Sequence, residues 1–149
     1  MKRLGVLFLF FLSIAAEARP LTDPEKKAIE STIREEMKDP EAAKFYHGDF
    51  PYPNTYMYCG YVNGKNSYGA YAGKQLFAVM VDKNDKGEYF ALSFDYSKAT
   101  GEPTEQEGIA TLCANNGYDL PVKKMFYKDV NRERKKKNIP PINKAFISN

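Results

Sequence analysis

The chain has 149 residues, with 22 Lys and Arg against 19 Asp and Glu, a net charge of +3, one histidine, two cysteines and no tryptophan. One histidine and two cysteines leave little material for a transition-metal centre, and so small a charge gives no bulk electrostatic argument for nucleic acid. The length suits one ordinary domain with a real core, once a leader is set aside.

That leader is read first. Lys2 and Arg3 precede an uncharged run, Leu4 to Ala16, and Ala16-Glu17-Ala18 fits the small-x-small rule for cleavage after Ala18. The run is shorter than the ~20 residues a spanning helix needs, so a secretory signal peptide (1–18) is expected in preference to a membrane anchor. Removing Lys2, Arg3 and Glu17 leaves 131 residues and a charge of +2. The predicted address is export, to the periplasm or beyond.

Thr22-Asp23-Pro24-Glu25 has capping-box spacing and opens a helix. Ile29, Ile33 and Met37 recur every four residues as its apolar stripe. Lys38-Asp39-Pro40 stops it, because the residue before a proline is pushed out of helical geometry. Asp39 is placed to cap a short turn over 40–43. The segment HGDFPYPN, 47–54, is a loop. Thr55 to Val62 alternates as a strand, with Met57, Cys59 and Tyr61 on one side and Tyr56, Tyr58 and Val62 on the other.

Asn63-Gly64 predicts a type I′ turn, and 65–73 is then a returning strand or an irregular loop. QLFAVMV, 75–81, is apolar on both faces and suits a central strand. EYFALSFDY, 88–96, alternates and pairs with it across the polar loop 82–87. That loop lacks the ligands of a calcium loop at the fifth and twelfth positions. Thr104 to Glu107 is a second capping box, and Ile109, Leu112 and Cys113 give a helical stripe that ends at Asn115-Asn116-Gly117.

In an oxidising compartment the two cysteines form one disulfide, Cys59 to Cys113, joining strand to helix. The tail, 122–149, carries eight basic residues between Lys123 and Lys137 and breaks at Pro140-Pro141. It reads as a partly helical or disordered basic extension, a candidate for an anionic surface but not for specific nucleic-acid recognition.

The stretch CGYVNGKNSYGAYAGK, 59–74, raises the question of a phosphate cradle. A phosphate loop needs Lys-Ser or Lys-Thr before a helix, whereas Lys65 is followed by Asn66 and the last glycine by a strand. Turn chemistry and close backbone packing account for the glycines. Seven tyrosines fall between Tyr46 and Tyr71, and tyrosine supplies broad amphipathic contact area, including for sugar faces. His47 with Asp49 or another acid is the remaining catalytic candidate.

Two motifs together, MKDPEAAKF at 37–45 and CGYVNGKNSYGAYAG at 59–73, resemble a group of small exported bacterial proteins. Their shared pattern is LKDPxSAxF followed by CGxVNxKNSxGGYxG and an apolar strand. Met37, Ala42 and Ala70 depart from it, and the likeness covers about residues 29 to 81. Those proteins are mostly of unassigned function, so the resemblance implies a small α+β fold and an envelope address.

The expectation is therefore an α+β domain over 19–121. It has an antiparallel sheet of three to four strands, an N-terminal helix, and a second helix tied to the sheet by the disulfide. The expected function is a non-enzymatic binding or interaction module of the cell envelope, its partner an envelope protein or polymer. The contact residues are Tyr58, Asn63, Lys65, Asn66, Tyr68 and Tyr71. No cofactor, metal or catalytic residue is called for. The alternative is a small secreted hydrolase using His47 with a nearby carboxylate.

Overall fold

The computed structural model describes residues 17–94 and 103–149, with side chains from residue 106 onward in the second stretch. Most of the predicted leader, Tyr96 and the Thr104 and Glu105 side chains of the second capping box lie outside the described residues.

Helix α1 spans Asp23–Glu35 and starts as its capping box requires. The Thr22 hydroxyl accepts from the Glu25 amide, while the Glu25 carboxylate accepts from the Thr22 amide at 2.9 Å. Glu25 is buried and also receives both terminal nitrogens of Arg19, at 3.0 and 2.8 Å. Arg19 in turn pairs through its backbone with Phe50 and lays its guanidinium over the Phe50 ring. This clasp joins the residue after the predicted cleavage point to the core.

Burial alone would push the Glu25 carboxyl up; the hydrogen bonds from Arg19 and Thr22 outweigh it and hold the group below the ordinary carboxylate range. A depressed folded value means stability present above the ordinary carboxylate range and lost as pH falls through the folded value. Glu25→Gln should therefore cost about 2 kcal/mol at neutral pH. Denaturant titrations below about pH 4 should show that deficit closing. An equal deficit at both pH values would refute the assignment.

After the helix, Asp39 Oδ1 accepts from Ala42 N at 3.2 Å and caps the 3-10 turn Pro40–Ala42, as expected. The sheet is antiparallel throughout, in the order β1-β2-β3-β4, with β1 Lys44–Tyr46, β2 Met57–Asn63, β3 Gln75–Lys83 and β4 Tyr89–Ser93. Strand β1 is not predicted: three residues are too few to show alternation. The β3–β4 hairpin lies where the alternation predicts it. Its turn is built by Asn84, whose Oδ1 accepts from the amides of Lys86 and Glu88, and by Gly87 at φ +79°.

Strand β3 is apolar on both faces because both faces are covered. Phe77, Val79 and Val81 share one face with Tyr58 and Val62 and pack with Ile29 and Ile33 of α1. Leu76 and Ala78 share the other with Cys59 and pack with Ile109 and Cys113 of α2, Pro103–Asn115. The disulfide between Cys59 and Cys113 fastens that second layer, its Cα atoms 6.1 Å apart. Helix, sheet and helix thus form three layers, and the α+β architecture with one staple is as expected. At Gly60 the Phe77 ring lies over the backbone; a Cβ there would stand 2.8 Å from Phe77 Cζ.

The type I′ turn at Asn63-Gly64 does not form. Positive φ falls instead at Gly69 and Gly73, and 64–74 is a long ordered loop between β2 and β3. Gly64 is small for another reason: a Cβ there would overlap the terminal methyl of Met37.

The basic tail is folded. It forms β5 Val122–Lys123, helix α3 Tyr127–Lys136 and β6 Ile147–Ser148, with β5 and β6 paired in parallel. Val122, Val130 and Ile142 close a third small core against Ala114 of α2. Arg134 is buried there, donating to the carbonyls of Ala114, Tyr118 and Pro140 and to Asp119 Oδ1. The apolar face of this helix is too small to announce a packed element, because the guanidinium does much of the joining.

Candidate functional site

The candidate side chains fall in two places, on opposite sides of β1. The first is His47, just after β1. Its Nε2 lies 3.0 Å from Glu30 Oε1 on α1, and its Nδ1 lies 3.0 Å from the Tyr58 hydroxyl. The acid is therefore Glu30 and not the sequence neighbour Asp49, which is exposed and makes no hydrogen bond to the ring. Phe45 stacks on the imidazole at 5.8 Å and 6°. Glu30 is also paired with Arg34 at 3.3 Å.

Carboxylate, imidazole and hydroxyl thus stand in the order of a nucleophilic triad, but the terminal hydroxyl belongs to Tyr58, which has no exposed surface. That hydroxyl accepts from Gly48 N at 3.2 Å and holds its own proton within reach of His47 Nδ1 and Gly48 O. Burial pushes it up to about 12, so it stays protonated. The expectation that Tyr58 is a contact residue is overturned: its side of β2 is the side α1 covers. Alternation shows which residues share a face, not which face is open to water.

The second place is the edge of the sheet at β1 together with the loop 64–74. Lys65 and Tyr71 form an antiparallel bridge, and a small hairpin rises between them. Asn66 shapes its tip. Its side-chain oxygen accepts from the amides of Tyr68 and Ala70, at 3.0 and 3.1 Å, and its own amide donates to Ala70 O. Asn63 fastens the base, accepting from Gly73 N at 3.1 Å. These two asparagines are builders of the loop, a role their residue type permits because short amides mimic backbone turns.

The rings and ammonium groups are what the loop presents. Tyr68 is 94% exposed at the tip and Tyr71 41% exposed at the base. The Tyr71 hydroxyl donates to Ala42 O at 3.1 Å, which sets the ring's direction. Lys44 Nζ lies 4.2 Å from the Tyr71 centroid and Lys65 Nζ 5.7 Å from it. Beside them Lys74 Nζ stands 3.9 Å over Tyr46, itself 39% exposed. Asp39 reaches Lys65 at 3.8 Å; neither Lys44 nor Lys74 has a carboxylate partner among the described residues.

The tyrosine cluster includes Tyr46, but nothing in the sequence singles out Lys44 and Lys74. The strand β1, whose alternation turns Phe45 toward α1 and Lys44 and Tyr46 the other way, brings Lys44 to Tyr71 and Tyr46 to Lys74. Behind the loop, Lys65 and Asn66 also line a cavity of about 530 Å³ whose apolar wall includes Met37, Val62, Leu76 and Phe94. No family model, curated protein or solved structure matches the chain.

Proposed function

We propose that the protein is an exported, non-enzymatic binding module of the bacterial cell envelope, and that the β1 edge with the loop 64–74 is its contact surface. The observation that carries this reading is the tip of the loop. A tyrosine 94% exposed is held on a hairpin that two asparagines order, beside two rings overlain by ammonium groups. An ordered loop that presents exposed rings is preorganised for contact, since little conformational freedom is left to lose on binding.

The test is retention of residues 19–149 on an isolated envelope fraction. Tyr68→Ala together with Lys74→Gln should lower retention by at least about fivefold, with stability unchanged to within about 0.5 kcal/mol because both side chains are exposed. Tyr58→Phe should do the reverse: about 1–2 kcal/mol of stability lost through the unpaired Gly48 amide and His47, with retention intact. Equal retention of the wild type and both variants would remove the surface from consideration.

A second reading, a small secreted hydrolase, is favoured by the 3.0 Å contact between His47 and Glu30. A histidine oriented by a carboxylate is the unit such chemistry needs. Both ring nitrogens, however, are engaged within the fold. Turnover of ester or glycoside substrates by the wild type, abolished in a folded His47→Gln variant, would establish this reading over the first.

A further inference from the structure

The contact surface carries a more specific chemistry than aromatic exposure. We infer that the face formed by Lys44, Tyr46, Lys74, Tyr71 and Tyr68 binds an acidic polysaccharide, a glycan bearing carboxylates. The inference rests on the binding reading above and names the ligand class of that same surface.

Such a polymer presents two features in alternation: apolar C–H faces of sugar rings and carboxylates set apart along the chain. The first kind is met by tyrosine faces and the second by fixed cations. Here both come from one construction. Lys44 and Lys74 each lie over a tyrosine ring, at 4.2 and 3.9 Å, so each ammonium is positioned beside an aromatic surface. Neither is neutralised by a carboxylate among the described residues, and Tyr68 offers its ring to solvent at the tip of the same loop.

Other anionic partners fit less well. Nucleic acid carries one charge about every 1.7 Å of duplex and rewards dense arrays of cations and the forked donors of arginine. Among the described residues this face holds no arginine, and Lys65, the further lysine near Tyr71, is paired with Asp39. A bilayer rewards aliphatic wedges among the cations. Among the described residues the exposed large aliphatic side chains are Leu92, on the opposite edge strand β4, and Met125, in the turn before α3, neither of them part of the loop. Sparse charge interleaved with rings matches a sugar acid best.

The experiment uses residues 19–149 and defined probes: polygalacturonate and alginate as acidic glycans, dextran as a neutral one, a single-stranded oligothymidylate, and phosphatidylglycerol vesicles. Both acidic glycans should bind at least about tenfold more tightly than dextran, with affinity falling as salt rises from about 50 to about 300 mM. Lys44→Gln with Lys74→Gln should lose at least about tenfold, and Tyr68→Ala about fivefold. Circular dichroism should show all variants folded, since these side chains are exposed.

Equal affinity for dextran, or tighter binding of the oligonucleotide or the vesicles, would overturn the glycan assignment. So would acidic-glycan binding that the lysine variants leave unchanged. Retention on the envelope fraction without binding to either acidic glycan would overturn the ligand class and leave the binding module standing. Absence of both would sink the two together.

Discussion

Replacing Cys59 and Cys113 by alanine is expected to lower stability by about 4 kcal/mol. The two residues are 54 positions apart, and a cross-link closing so long a loop removes much of the unfolded chain's freedom. For a domain of this size the melting temperature should fall by about 15 °C. The structural consequence is specific. The bond joins Cys59 at 5% exposure on β2 to fully buried Cys113 on α2, so its loss loosens the layer opposite α1 first. Reductant should reproduce the effect in the wild type and add nothing to the double variant. A loss below about 1 kcal/mol would mean that the apolar contacts of Leu76, Ala78 and Ile109 hold α2 without the staple.

Arg134→Ala is expected to cost about 3 kcal/mol, with a melting temperature lower by about 10 °C. The side chain is 3% exposed and makes four hydrogen bonds, three of them to carbonyls near the ends of α2 and α3. Its removal takes a donor from each: the buried Ala114 carbonyl keeps only the Gly117 amide, and the part-buried carbonyls of Tyr118 and Pro140 lose the guanidinium. The charge partner matters less: the Asp119 carboxylate is 52% exposed, so Asp119→Asn should change stability by under about 1 kcal/mol. Arg134→Lys should recover little, because one ammonium cannot reach acceptors spread around a planar fork. Limited proteolysis checks the location. Cleavage within 122–149 should appear in Arg134→Ala well before the sheet is attacked. Simultaneous loss of sheet and tail would show that the third core and the main cores unfold as one unit.

Local rules were enough wherever the cause was local. Thr22 and Glu25 cap α1 because four residues suffice to place a hydroxyl under an amide. Asn84 and Gly87 turn the β3–β4 hairpin for the same kind of reason. The double-sided apolar pattern of 75–81 identified a strand with both faces buried, and the two cysteines matched a strand to a helix.

Packing settled the rest. Tyr58 and Tyr71 are the same residue type in the same tyrosine-rich stretch, yet one is sealed under α1 and the other stands at an open edge. His47 found Glu30 across seventeen positions, which no spacing rule could favour over Asp49 two residues away. The tail folded because Val122, Val130 and Ile142 pack on Ala114 while Arg134 donates to the carbonyls of Ala114, Tyr118 and Pro140, a joining only partly visible as hydrophobic periodicity. Alternation and capping depend on neighbours along the chain and so are written in it. Which face meets water, and which charge meets which ring, depend on elements that meet only after the chain has closed.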